Sequence, residues 1–240
     1  MHQTEKSSLL AKLKQLRWKE LLNPLDIKTP ICKVCGNPIK YDNFHILIHP
    51  NTSICGSCYG KFEILDERYK LQNCPTRILF RYSSEIKNSI YQFKANGDYE
   101  LREVFFEYLL NDLRFEYRDH IVVPAPSSPE SDAIRGFNHA EELFAQLNLP
   151  VVKAIIKTSS REQKEQSMEG RKEIGKYFAI TKINKIRNKK VLIVDDVYTS
   201  GSTINAMIKL VKKAHPKSIK ILILSKQLHN QEDRIKYKRN

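Results

Sequence analysis

Apolar positions change their rhythm along the chain. Between residues 5 and 22, Leu9, Leu10, Leu13, Leu16, Leu21 and Leu22 recur near helical spacing with lysines between them. That pattern predicts a short amphipathic helix. Such a helix either packs on the next module or docks on a membrane surface or a partner. Pro24 and Pro30 end it and open a linker. Further on, Ile78–Tyr82 reads as a strand. Glu85–Phe93 and Tyr99–Leu113 read as helices, with a turn at Asn96-Gly97-Asp98. Short apolar runs then alternate with helical patterns. Strands are expected at His120–Val123, Val151–Lys157, Lys176–Ile180, Lys190–Val194 and Ile219–Leu224, and helices at Asn138–Leu147 and Ser202–Ala214. This alternation predicts an α/β fold with a parallel sheet covered on both faces. The polar stretch Ser159–Gly175 reads as a mobile loop, and the charged tail after Gln227 reads as frayed.

Cysteines interrupt this scheme. Cys32 and Cys35 form one Cys-x-x-Cys pair and Cys55 and Cys58 another. A two-residue gap lets one tight knuckle aim both sulfurs at one ion, so two such pairs make a four-thiolate zinc site. With four protein ligands the site is closed, hence structural and not hydrolytic. Gly36, Gly56 and Gly60 sit in the knuckles, and Tyr41, Phe44, Ile46 and Ile48 partly alternate, as a ribbon hairpin would. His45 and His49 lie between the pairs, but four cysteines already fill a tetrahedron. Cys74 is left over and reads as a buried or idle thiol, because nothing nearby in sequence activates it.

The most informative stretch runs from Val191 to Thr203. Four apolar residues form a strand, and Asp195 and Asp196 stand at its carboxyl end. Thr199, Ser200, Gly201, Ser202 and Thr203 then lead into a helix. Ligands bind at the carboxyl ends of parallel strands. Loop N–H groups, hydroxyls and a helix N-terminus suit a phosphate dianion. Two carboxylates beside it can accept hydrogen bonds from vicinal sugar hydroxyls and help to hold Mg²⁺. The ligand so deduced is a ribose 5-phosphate moiety. The Gly-Lys-Ser/Thr ending of a Walker loop is absent.

This segment resembles the phosphoribosyl-pyrophosphate (PRPP) motif of type I phosphoribosyltransferases, and within that group the chain resembles the ComF family of ComFC type. The resemblance rests on the two cysteine pairs, on Ile90–Asp98, on Val123-Pro-Ala-Pro126 followed by Arg135-Gly-Phe-Asn138, and on Asp195–Thr203, in the family's order. Gln166 and Arg171 also match, and coverage runs over residues 30–225. Two features depart from the pattern: the longer N-terminal helix, and Lys213-Ala-His-Pro-Lys in place of the usual Ala-Gly turn. The resemblance implies a cytosolic competence factor for DNA uptake in natural transformation. It implies PRPP as ligand, single-stranded DNA as a partner and a helicase working beside it. The alternative is an active phosphoribosyltransferase transferring ribose 5-phosphate to an acceptor, although no segment reads as a nucleobase pocket. The organisation expected is a helix and linker over 1–29, a zinc ribbon over 30–72, a phosphoribosyltransferase-like domain over 73–228 and a charged tail over 229–240.

By position and by resemblance, the loop Ser127–Arg135 opens at the same edge as Asp195 and faces the pyrophosphate. Arg135 is the candidate cation there, against the alternative of a helix-entry salt bridge. Asn138 is a candidate helix cap. Arg161 and Arg171 could reach the phosphates from the mobile loop, and Lys94 has a similar case from resemblance alone.

Charge widens the picture. The 240 residues carry 41 Lys and Arg against 27 Asp and Glu, for a formal net charge of +14. Between Ile174 and Val194 there is no acidic residue, whereas six basic ones stand there. Such a surplus attracts polyanions, or it is simply a solvated surface. Tyr41, Phe44 and Tyr59 could offer stacking faces beside lysines, or they form the ribbon core. No run approaches ~18 apolar residues, so no membrane span is expected and the cytosol is the compartment expected.

Overall fold

A computed structural model describes residues 30–39, 52–158 and 178–228. The helix expected over 5–22, the segment holding Tyr41, Phe44, His45 and His49, the loop holding Arg161, Gln166 and Arg171, and the tail after residue 228 lie outside the described residues. In chain order the elements are α1 (Gly56–Tyr59), β1 (Ile64–Leu71), β2 (Cys74–Arg81), α2 (Ser84–Ala95), a 3₁₀ stretch (Tyr99–Phe105), α3 (Leu110–Tyr117), β3 (Ile121–Pro124), α4 (Pro129–Arg135), α5 (His139–Phe144), β4 (Ile155–Lys157), β5 (Phe178–Ile180), α6 (Ile183–Ile186), β6 (Lys190–Tyr198), α7 (Ser202–Lys212) and β7 (Ser218–Lys226).

The main sheet runs β1-β2-β7-β6-β3. Strands β2, β7, β6 and β3 are parallel, and β1 pairs antiparallel to β2 at the edge. The central strands are apolar on both faces because both faces are covered. Successive side chains alternate. Leu192, Val194, Leu222 and Leu224 join Ile86, Ile90 and Phe93 of α2, Leu113 of α3 and Phe144 of α5. Val191, Ile193, Ile221 and Ile223 join Ile204, Met207, Ile208 and Val211 of α7 on the other face.

Several boundaries differ from those expected. The strand ending at Val194 in the sequence reading continues to Tyr198, because β7 pairs with it as far as Lys226. Asp195 and Asp196 are therefore inside a hydrogen-bonded strand. The helix expected over Tyr99–Leu113 divides into a 3₁₀ stretch and α3. Tertiary ties through Tyr99, Glu100 and Glu103 hold the first part and override helix propensity. Of the strand expected over Val151–Lys157, only β4 remains, with a lone bridge from Val151 to Val122. It pairs antiparallel with β5 outside the main sheet. The loop expected over Ser127–Arg135 contains α4, nucleated by the Ser128 cap and Pro129 at its first turn.

The cysteine knuckles and the sheet share a core. Cys32, Ile39, Ile54, Cys58 and Phe62 belong to the buried cluster that holds Phe80, Phe105 and Leu192. The Phe62 ring stacks on Phe105 at 6.1 Å and meets Phe80 edge-on at 5.8 Å. Ser53 Oγ donates to Glu107 at 2.7 Å, and Lys33 bridges Glu103 and Glu100. Strand β1 lies in the stretch that the sequence reading gave to the ribbon, yet it completes the main sheet. Phe62→Ala should cost about 3–5 kcal/mol. Urea unfolding followed by tyrosine fluorescence and by circular dichroism should shift as one transition; two separated transitions would mean that the knuckles unfold on their own.

Candidate functional site

Strand β6 carries Asp195 and Asp196 side by side near its carboxyl end, and their carboxylates and the His139 ring place ligand atoms within 4.8 Å of one another. Both are buried, at 8% and 4% exposure. Buried carboxylates need partners, and neighbouring elements supply them. Lys94, in the last turn of α2, makes an ion pair with Asp196 Oδ2. His139, the first residue of α5, places Nε2 3.4 Å from Asp196 Oδ1. Asp195 Oδ1 accepts the backbone N–H of Asp196 at 2.9 Å.

Arg135 joins this cluster indirectly. Its guanidinium lies 2.9 Å from His139 Nδ1. A guanidinium can only donate, so Nδ1 must accept and the ring proton sits on Nε2, facing Asp196. Arg135, His139, Asp196 and Lys94 thus form one chain of contacts. Arg135 ends α4 and is half-buried. Among the described residues it meets the His139 ring and no carboxylate, so no helix-entry salt bridge forms there. The sequence reading passed over His139. Its signal was its place directly after the helix-capping Asn138, whose side chain accepts the Glu141 N–H at 2.9 Å.

The segment Arg135–Asn138 also fixes the surrounding frame. Phe137 packs on Phe93 at 5.3 Å and on Tyr99 at 5.5 Å, so the hinge between α4 and α5 is pressed against the residue before Lys94. Asn138 donates to Ser127 Oγ at 2.6 Å. The Ala125 N–H binds the Val194 carbonyl at 2.9 Å, which ties the loop after β3 to the strand before Asp195. These loops all open at the carboxyl edge of the sheet.

The two carboxyls differ in acidity. Burial pushes Asp196 up, but the His139 N–H and the Lys94 ammonium outweigh it and hold the group well below the usual carboxylate range. Asp195 is pushed well above that range, by its own burial first and then by the negative Asp196 beside it.

Beyond β6, Thr199 and Ser200 are exposed, and Ser202 and Thr203 open α7 half-buried. Ser200 and Ser202 hydroxyls lie 2.9 Å apart. Gly201 sits at φ +73°, and a Cβ there would come 2.3 Å from the Tyr198 hydroxyl. Only glycine lets the chain turn under that ring into the helix. The loop residues Thr199–Thr203 and the acidic pair are therefore brought to one place, with Arg135 connected through His139.

The cysteine cluster is equally well assembled. The sulfurs of Cys32, Cys35, Cys55 and Cys58 lie within 4.8 Å of one another, with Cys35 and Cys55 4.0 Å apart. A tetrahedral ion with bonds of about 2.3 Å requires sulfurs about 3.8 Å apart, so the donor set fits zinc. The Cys55 N–H donates to Cys32 Sγ at 3.3 Å, as outer-shell support for a thiolate. Cys74 is elsewhere, buried at the start of β2, and burial pushes its thiol up, away from reactivity. Tyr59 packs edge-on against Tyr108 at 4.3 Å with a buried hydroxyl, so it belongs to the core and offers no stacking face.

Residues 133–240 match a family described as phosphoribosyl transferase domain. Competence protein ComFC of Streptococcus pneumoniae is 28% identical over 80% of this chain and 98% of its own length. Competence protein ComFC of Bacillus subtilis is 27% identical over 73% of this chain and 68% of its own. Competence protein F of Haemophilus influenzae is 24% identical over 80% and 82%. These matches support the resemblance to the ComF family. Among solved structures, a Staphylococcus aureus hypoxanthine phosphoribosyltransferase is 19% identical over 52% of this chain and 62% of that one, with a TM-score of 0.36. A Pyrococcus horikoshii purine phosphoribosyltransferase is 23% identical over 63% and 78%, with a TM-score of 0.34. Among the described residues, no helix is long and apolar enough to cross a membrane.

Two outcomes follow for the site. Gly201→Ala should lower phosphate-ligand affinity by about tenfold and stability by about 1–2 kcal/mol, since a left-handed non-glycine residue alone costs that much; calorimetry and thermal unfolding would measure both. For Asp195, the folded carboxyl ionises at higher pH than the unfolded one. Stability is therefore lost as pH rises through the ordinary carboxylate range, and Asp195→Asn removes that loss. The stability of Asp195→Asn relative to the parent should rise from pH 4 to pH 7, as read by urea unfolding at both values.

Proposed function

We propose that this chain is a competence factor that binds PRPP at the carboxyl edge of its sheet and handles single-stranded DNA beside a helicase partner. One observation carries the PRPP reading: a buried, partnered Asp195–Asp196 pair stands directly before the Thr199–Thr203 loop at the start of α7. In this reading the loop hydroxyls, the N–H groups around Gly201 and the α7 N-terminus receive the 5-phosphate. The two carboxylates receive the ribose hydroxyls. Mg²⁺ enters with PRPP and takes oxygen ligands. Lys94 and Arg135 are the cations nearest the acidic pair, available to the pyrophosphate once the ligand displaces their present contacts. The competence role is supported by the curated relatives. The single-stranded DNA and the helicase come from the resemblance, with the basic balance of the chain in support.

Zinc in the four-cysteine cluster is the structural ion in this proposal. Because the knuckles share a buried cluster with the sheet, metal loss should weaken the whole domain and not the knuckles alone. Elemental analysis should find one zinc per chain, Cys35→Ser should lose it, and a strong chelator should lower the global unfolding midpoint. An unchanged midpoint on complete zinc removal would refute the coupling.

Calorimetric titration with PRPP and Mg²⁺ tests the main site. Asp195→Asn and Asp196→Asn should each weaken binding roughly 10- to 100-fold, as expected for lost charge-assisted hydrogen bonds. Unchanged affinity in both variants would remove the site assignment. Pyrophosphate release in the same samples with a panel of acceptors would favour transfer chemistry over ligand binding alone.

A further inference from the structure

The two edges of the parallel sheet differ in charge. From Ile174 to Gln231 the only acidic residues are Asp195 and Asp196, both at the carboxyl edge. The amino edge is reached by the turn into β6, by the turn into β7 and by the end of α3. It carries Arg187, Lys189, Lys190, Lys213, Lys217 and Lys220. Backbone bonds hold the two turns together: the Asn188 N–H reaches the His215 carbonyl at 3.1 Å, and the Lys217 N–H reaches the Lys189 carbonyl at 2.8 Å. Arg187, Lys189, Lys213 and Lys217 are exposed and, among the described residues, have no carboxylate partner. Lys190 pairs with Asp119 at 3.0 Å, and Glu116, which also lines this edge, is engaged by Arg68 and Arg77.

Beside the lysines lies a surface hollow of about 340 Å³, lined among others by Phe115, Arg118, Asp119, His120, Lys190 and Lys220. Phe115 is 70% exposed, and the Arg118 guanidinium lies over its ring at 4.6 Å. An exposed aromatic under a guanidinium is costly to leave in water and well suited to a base. His120 is 6% exposed. Its Nδ1 lies 3.2 Å from the Tyr117 carbonyl, which can only accept, so the proton is on Nδ1 and Nε2 keeps a lone pair. Nε2 has no hydrogen-bond partner among the described residues.

We propose that the amino edge of the sheet, opposite the PRPP loop, is the single-stranded nucleic-acid surface, with the lysines on successive phosphates and the Phe115–Arg118 platform under a base. This rests on the single-stranded DNA reading given above and adds the place. Lipid headgroups share the phosphate chemistry, but the exposed Phe115 ring paired with the Arg118 guanidinium beside the hollow favours bases.

The test uses the full chain and a labelled single-stranded oligonucleotide, with affinity measured over a series of salt concentrations. Replacing Arg187, Lys189, Lys217 and Lys220 together by Gln should reduce the salt slope by about 2 to 3, at roughly 0.7 per lost phosphate contact. Affinity at low salt should fall tenfold or more. Phe115→Ala should weaken binding with the slope unchanged. PRPP affinity and the thermal midpoint should stay as in the parent, which excludes misfolding as the cause. Parent binding that the fourfold variant retains would overturn this surface while leaving DNA binding intact. No binding by the parent chain would overturn both. Capture by anionic vesicles without capture of the oligonucleotide would assign the edge to lipid and overturn the proposal as well.

Discussion

Burying two adjacent carboxylates in the middle of a parallel sheet is the constraint on which the rest of this structure depends. An isolated ionised carboxylate in such a place is costly, and the fold answers it from three directions. Helix α2 delivers Lys94, α5 delivers the His139 N–H, and the backbone of Asp196 itself serves Asp195. Each answer fixes an element. Lys94 can reach only because Phe93 is anchored on Phe137, and His139 can reach only because Asn138 caps α5 while tying it to Ser127. The charge at the centre therefore organises the loops around it, and the same loops frame the space where a phosphorylated sugar would sit. The cost of burial is the means of preorganisation: the dipoles and charges are in place before the ligand arrives.

The cysteine knuckles extend that frame. Their sulfurs look like an independent metal module, but Phe62 and Ile54 place them on the same buried cluster that backs α2 and the 3₁₀ stretch. Glu100, Glu103 and Glu107 all serve this contact, accepting from Lys33 and Ser53. The 3₁₀ stretch thus touches the knuckles on one side and, through Tyr99, the Arg135–Asn138 hinge on the other. A small metal cluster that braces a hinge beside the ligand loops has a physical reason to be present in a chain long enough to fold without it.

The parallel core was legible because Val191–Val194 and Ile221–Leu224 are apolar at every position, which only a doubly covered strand tolerates. The two cysteine pairs and the Asp195–Thr203 segment were legible because each has a spacing with one chemical use. Other features were not. Strand β1 reads Ile64-Leu-Asp-Glu-Arg-Tyr-Lys-Leu71, an exposed edge whose charges hide its pairing. Its Asp66 and the α3 residues Asp112 and Glu116 converge on Arg77, a buried arginine whose role depends on contacts distant in sequence. Helix α4 has no buried residue, so no periodicity announced it. His139 escaped notice because a lone histidine after a capping asparagine looks like helix surface; only the approach of β6 turns it into a partner of Asp196.

The direction of the sheet keeps the two proposed anion sites apart. Parallel strands point all their carboxyl ends one way, so the loops there share one pocket-sized space in which charge is nearly balanced by Asp195 and Asp196. The amino ends gather the returning turns, and here the sequence places lysines with almost no acids to answer them. A compact ligand needs the first arrangement, where a few donors and acceptors are held at fixed positions. A long polyanion needs the second, where cations are spread and solvated and the gain comes from releasing counterions. The two edges are separated by the length of β6, so occupancy of one does not crowd the other. Two elements join the edges directly: β6 carries Lys190 at one end and the carboxylates near the other, and α7 runs from Ser202 beside the phosphate loop to Lys212.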